Sequence, residues 1–261
     1  MSANFLLTKW YLDCVAETGD TVIVYAAHLQ WNTLSFQYAS TITVLDGKVG
    51  AASSLHGIPL PALNGETLTL RQPGLDIAGT WSALRPSIRR TAFRDRDGAV
   101  DWHCVQPMAE VDLLLRKKFR ILGLGYAECL TVSVLPWQMP LAGLNWGRFL
   151  SREHAVVWID WQGAQALRSV IHNGEEFRQA SVTESEISFD EGRRRIEMDR
   201  GLVVRRGLLG DTFPEIAKLA RLVPRSMLSV NECKWRSQAV LHTPESACKG
   251  WAIHEVVKWN D

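Results

Sequence analysis

The chain has 261 residues, 46% of them hydrophobic and 22% charged, a balance that excludes wholesale disorder. Lys and Arg number 29 against 28 Asp and Glu, so no net field draws the whole protein to nucleic acid or anionic lipid. This length holds one large β domain or two of about 130 residues, and either can bury a core.

Along the chain, short apolar runs end at turn residues, and helical periodicity is scarce. A strand is predicted at 21–29 (TVIVYAAHL), after the turn Thr18-Gly19-Asp20. The next, 40–45, is closed by Asp46-Gly47, and 66–70 follows Asn64-Gly65, a pair that tolerates positive φ and signals a hairpin. A turn over 93–98 leads into 100–105. Strands at 109–115, 127–135, 155–161, 168–172, 185–189, 194–198, 237–241 and 250–259 complete the set. One short helix is predicted near 211–224. Thr212 and Glu215 form a capping box, Pro214 sits in the first turn, and Pro224 stops the apolar face of Ile216, Leu219, Ala220 and Val223.

The two halves echo one another. Trp10 precedes an apolar strand at 22–25, and Trp146 precedes one at 156–158. Gly125-Tyr126-Ala127-Glu128 closes the first half, and Gly250-Trp251-Ala252-Ile253-His254-Glu255 closes the second. The expectation is an all-β fold of two antiparallel barrels in tandem, 1–137 and 138–261, joined near 136–144.

Five scattered cysteines without a C-x-x-C pair argue against a zinc site and for reduced thiols in a cytoplasmic protein. No run approaches a membrane span, and the N-terminal apolar stretch is too short for a secretory signal, so stable membrane insertion is not expected. The basic runs 116–118 and 193–195 read as solvated turns or strand ends. A homodimer is left open.

Eleven tryptophans are the strongest compositional signal, because an indole in a sheet lines either a core or a ligand cavity. The stretch 99–130 brings Trp102, His103, Gln106 and Met108 on one strand toward Tyr126 and Glu128 on the returning one. Tyr126 and Glu128 share a face because side chains alternate along a strand. Facing a Trp-lined barrel interior, Glu128 would be held protonated by desolvation and serve as a general acid. Tyr126 would orient the proton, and Trp102 and Trp146 would stabilise a developing cation. The plain alternative places Glu128 in water and bonds His103 to a backbone carbonyl. Trp146 with Arg148 forms a stacked pair that either meets a ligand carboxylate or closes a barrel end. Trp158 and Asp160 share another face, where an inward Asp must be paired. His28 and His103 are the imidazoles expected to face a cavity. No H-x-H or H-x-x-x-H spacing suggests a metal. No dinucleotide fingerprint, P-loop or nucleophile elbow suggests a nucleotide cofactor or a serine hydrolase.

Lys9-Trp10-Tyr11-Leu12-Asp13, the Trp102-His103 strand, Gly125–Glu128, Asn145-Trp146-Gly147-Arg148-Phe149 and the 250–255 segment together resemble the lipocalin-like superfamily. That superfamily contains carotenoid 1,2-hydratases, AttH-type proteins and, more distantly, tocopherol cyclase. The resemblance spans most of the chain in order. It implies two lipocalin-like barrels and an apolar, often isoprenoid, ligand. For the hydratases it also implies acid-initiated alkene protonation without a cofactor. Tyr126-Ala127-Glu128 matches the family's Tyr-x-Asp pair with Glu for Asp. Trp102-His103 stands where an upstream His and Trp belong, but adjacent and in reversed order. Three functions are therefore weighed: a hydratase or cyclase with Glu128 as acid, a carrier of a hydrophobic metabolite, and a barrel filled by its own side chains.

Overall fold

A computed structural model describes residues 4–55, 57–199, 201–208 and 229–259. The chain divides into two compact units, Met1–Leu135 and Pro136–Asp261. Strands take up 71% of the structure and helix 3%, which makes the fold all-β. The helix expected near 211–224 lies outside the described residues.

The first unit contains β1 (Phe5–Val15), β2 (Thr21–Trp31), β3 (Leu34–Leu45), β4 (Lys48–Ser54), β5 (Ala62–Asn64), β6 (Thr67–Gln72), β7 (Ile77–Ala83), β8 (Ile88–Arg94), β9 (Ala99–Leu115) and β10 (Phe119–Val132). They form one antiparallel sheet in the order β4-β3-β2-β1-β10-β9-β7-β6-β5, with β8 paired to β9. The second unit contains β11 (Leu141–Leu150), β12 (Ala155–Gly163), β13 (Leu167–His172), β14 (Glu175–Phe177), β15 (Ser181–Val182), β16 (Glu186–Phe189), β17 (Arg194–Met198), β18 (Leu202–Leu208), β19 (Asn231–His242) and β20 (Ala247–Lys258). Its order, β14-β13-β12-β11-β20-β19-β17-β16-β15 with β18 on β19, repeats the first with every number raised by ten. A shared strand order of this length marks an internal duplication.

Turn chemistry sets the hairpins. Asn32, Asp46 with Gly47, and Asn173 with Gly174 all hold positive φ, where Asn, Asp and Gly are cheapest. The strands predicted separately at 100–105 and 109–115 are one strand, β9. Pro107 lacks an N–H, and the chain accommodates it where the ladder slips: Gly125 pairs with Ala109, but Ala127 pairs with Gln106.

Each sheet curls over an apolar core on one face. In the first unit Leu12, Cys14, Val22, Val24, Leu68, Leu70, Trp81, Val111, Leu113 and Ala127 pack together. In the second, Phe149, Val156, Trp158, Val170, Phe189, Ile196 and Leu241 do so. Trp81 is fully buried, and its indole N–H donates to the Asp13 carbonyl at 2.8 Å, tying β7 to β1. Gly125 lets this happen, since a β-carbon there would lie 2.1 Å from the Asp13 oxygen and 3.1 Å from the Trp81 nitrogen. Truncating a buried indole costs about 3–5 kcal/mol. Trp81→Ala is therefore expected to lower the urea midpoint sharply. Trp81→Phe, which keeps most of the volume but orphans a carbonyl, should lose about 1–3 kcal/mol.

Candidate functional site

The central pair of the first sheet, β1 and β10, has buried residues on both faces. Residues directly opposite in an antiparallel ladder point the same way. Leu12 pairs with Ala127, and both belong to the core. Their neighbours therefore project from the other face: Tyr11 opposite Glu128, and Asp13 opposite Tyr126. Across β9, Glu128 faces Cys104, and Leu130 faces Trp102. Across β2, Tyr11 faces Tyr25.

These register pairs assemble one polar and aromatic cluster. Glu128 Oε2 accepts two hydrogen bonds, from Trp102 Nε1 and from the Tyr126 hydroxyl, each at 2.6 Å. Beside it, the Tyr11 hydroxyl donates to Asp13 Oδ2 at 3.0 Å. The Tyr11 ring lies edge-on to Tyr126 at 6.0 Å and to Tyr25 at 5.4 Å. Two Tyr-x-acid pairs on neighbouring antiparallel strands thus form a square in which each acid lies across from the other pair's tyrosine. Asp13 and Tyr126 are fully buried, whereas Glu128 is only half-buried.

The neighbours of the carboxylates are neutral donors. Burial raises the Tyr126 phenol well above its ordinary range, with further contributions from Cys104 and Glu128. Burial likewise holds the Cys104 thiol well above its usual value, against an opposing hydrogen bond from Tyr126. Neither ionises near neutrality.

The predicted site residues divide. Trp102, Tyr126 and Glu128 come together, but on the sheet face opposite the barrel core rather than inside it. The cause is alternation: Ala127 between them packs in the core. His103 is parted from them for the same reason. It pairs with Cys129, and Cys129 with Trp10, whose side chain packs against the core. Its buried Nε2 has no hydrogen-bond partner among the described residues. Burial, and then the Arg89 charge, lower its pKa and keep the ring neutral. His28 also lies on the core side, where Nε2 donates to the Ile58 carbonyl at 2.7 Å. Tyr11 and Asp13, seen in the sequence only as part of an aromatic and acidic N-terminal run, belong to the cluster. The signal that marks them is the repetition of the Tyr-x-acid spacing.

In the second unit Trp158 is buried in the core and fills the space left by Gly147, where a β-carbon would lie 2.3 Å from the indole. Asp160, on the same face, is paired with Arg168 at 2.7 Å. Trp146 and Arg148 project from the opposite face. Arg148, fully buried, donates to the Trp251 carbonyl at 2.7 Å, and the Lys234 ammonium lies 5.2 Å above the Trp146 ring while pairing with Glu255. On this face Trp146 stands opposite Glu255 and Arg148 opposite Ile253, and Glu255 faces Lys234 across β19.

No protein-family model matches the chain, and no curated protein does. Solved structures do. CghA with Sch210972 superposes at a TM-score of 0.57, covering 98% of this chain and 89% of that one at 9% identity. An AttH-type protein of Nitrosomonas europaea gives 0.55, covering 96% and 92% at 9% identity. Kievitone hydratase of Nectria haematococca gives 0.52, covering 98% and 89% at 9% identity. The chain shares their lipocalin-like fold. Near-complete coverage in both directions extends that likeness to both units. At this identity the likeness carries the architecture, and the chemistry rests on the residues above.

Among the described residues, no helix is long and apolar enough to cross a membrane.

Two buried imidazoles make the fold acid-sensitive. His254, bonded to the Ser237 hydroxyl at 2.9 Å and stacked on Trp235, has its pKa pushed down to about 4 by burial and then by the Lys234 charge. His172 is likewise pushed down to about 4, first by burial, then by His154 and Arg194. A folded-state value below the unfolded one means that the unfolded chain binds the proton first. Stability is then lost as pH falls from about 6.5 towards 4, by about 2 kcal/mol per group between pH 7 and pH 5. His254→Gln is expected to remove about half of that pH dependence in urea titrations.

Proposed function

We propose that the protein binds an apolar, isoprenoid or polyene molecule and converts it by cofactor-independent acid catalysis, protonating an alkene before hydration or cyclisation. The observation that carries this reading is the double hydrogen bond to Glu128 Oε2 from Trp102 and Tyr126. With Oε2 occupied by two donors, the proton of the neutral acid resides on Oε1. Transfer of that proton to an alkene carbon forms a C–H bond, breaks the O–H bond and leaves a cation on the adjacent carbon. The resulting carboxylate keeps both donors, each a charge-assisted bond stronger than its neutral counterpart. The donors therefore stabilise the state reached after proton transfer more than the state before it.

The aromatic rings have a second duty. Trp102, Tyr11 and Tyr126 surround the carboxylates, and their faces attract a developing cation. Capture by water gives an alcohol, and the proton lost by that water restores the acid. Capture by an internal nucleophile gives a ring. The Tyr126 hydroxyl, held neutral by burial, orients Glu128 and does not itself supply the proton. The match to kievitone hydratase in fold agrees with the hydration branch.

Solvent deuterium tests the reading. Acyclic polyene and isoprenoid alkenes are incubated with the protein in heavy water, and carbon-bound deuterium is read by mass spectrometry. The wild type is expected to incorporate deuterium, Glu128→Gln to incorporate none, and Tyr126→Phe to fall about 10–100-fold. Unconverted ligand retained equally by the wild type and Glu128→Gln would assign the protein as a carrier instead. Asp13→Asn is expected to slow incorporation less than Glu128→Gln, because Asp13 is buried and bonded to Tyr11 rather than directed at a ligand.

A further inference from the structure

The run Arg116-Lys117-Lys118 takes no part in the site. It forms the tip of the β9–β10 hairpin, just beyond the pair Leu115 and Phe119. Arg116 and Lys117 both hold positive φ, 52° and 54°. The other tight hairpin turns of this sheet place Asn32, Asp46 and Gly47, or Gly65 in that conformation. Gly or Asn takes it at least cost, and two successive long basic side chains do not. The chain keeps the charges at this tip against its own backbone preference, and strain of this kind points to use.

The same hairpin exposes apolar surface. Nine large apolar side chains stand exposed among the described residues, and three of them, Leu114 (40%), Phe119 (41%) and Leu122 (58%), lie within nine positions here. Leu114 faces Arg120 across the hairpin and Leu122 faces Asp112, so both leucines share the outward face. The Arg120–Asp112 ion pair, at 2.6 Å, lies between them. Phe119 stands at the tip, with the Lys118 ammonium 5.4 Å above its ring. Four bases, Arg116, Lys117, Lys118 and Arg120, are accompanied by Asp112 and Asp76, the latter 3.8 Å from Lys117, with Glu110 exposed further along the same face of β9. The tip itself keeps an excess of positive charge.

We propose that the β9–β10 hairpin docks the protein on an anionic lipid surface, with Leu114, Phe119 and Leu122 entering the headgroup region and Arg116, Lys117 and Lys118 meeting lipid phosphates. Reversible surface binding needs both an apolar and a basic contribution, and this hairpin presents both. The near-neutral whole chain does not oppose it, because charge acts over about 10 Å at moderate salt. The proposal stands on the hairpin alone. The apolar-ligand reading adds a reason, since such a ligand partitions into bilayers.

Flotation of the full chain with phosphatidylcholine vesicles, with and without about one third phosphatidylserine, decides it. Binding is expected to the anionic vesicles and to fall at least tenfold in Lys117→Glu/Lys118→Glu, at roughly fivefold per basic residue near the surface. Leu122→Ser/Phe119→Ser should weaken binding without altering its salt dependence. These side chains are exposed, so circular dichroism of each variant should match the wild type. Absence of flotation with the anionic vesicles, or equal flotation of wild type and both variants, overturns the proposal. Glu128→Gln should float like the wild type, which separates a failure of docking from a failure of the catalytic reading.

Discussion

Burial on both faces of β1 and β10 is the constraint on which the rest of the structure depends. Along β1 every residue from Tyr11 to Val15 is buried, although alternate side chains point to opposite sides. Leu12 and Cys14 meet the apolar core, where burial of hydrocarbon is favourable. Tyr11 and Asp13 project from the other face, where polar atoms removed from water must find partners. The sheet answers with bonds along each strand, Tyr11 to Asp13 and Tyr126 to Glu128, and with one from Trp102 across to Glu128. A fold that buried only one face would leave these groups to water and give them no chemistry.

The architecture was legible where turns carry it. Asp46-Gly47 and Asn64-Gly65 stand at hairpins, as their tolerance of positive φ implies, and the matching openings and closings of the two halves reflect the repeated strand order. Tyr126 and Glu128 on one face also followed from alternation alone. Which face they occupy did not follow. A strand buried on both sides has no polar stripe to mark its outside, so Tyr126-Ala127-Glu128 reads equally well in either direction. The adjacency of Trp102 and His103 already implied that only one could face Glu128, and the N–H donor chosen is the indole. Strands such as β4 (KVGAASS) and β7 (IAGTWSA) lacked the β-branched density that signals a strand, and tertiary pairing forms them instead.

The duplication sharpens what is particular to the first unit. On the corresponding face of the second unit Trp146 and Arg148 stand opposite Glu255 and Ile253, which face Lys234 and Arg236 across β19. Two guanidinium groups and an ammonium accompany one acid here, where the first unit gathers two phenols, two acids, a thiol and an indole. Lys234 is nearly fully buried, and a cation so placed must be paired, as it is with Glu255 and over the Trp146 ring. One sheet framework thus carries different electrostatics on the same face of the two units. The repeat supplies geometry, and the side chains supply the chemistry.

Within the first unit the two Tyr-x-acid pairs are not equivalent. Asp13 accepts one phenolic bond and is sealed from solvent. Glu128 is half-buried and gathers two donors on one oxygen. The positions of the two acids are diagonal neighbours across the ladder, which lie about 7–8 Å apart. Asp13 is enclosed and bonded to Tyr11, whereas Glu128 holds Oε2 against Trp102 and Tyr126 and keeps part of the residue exposed. This difference in exposure is what favours Glu128 over Asp13 as the proton donor of the proposed reaction.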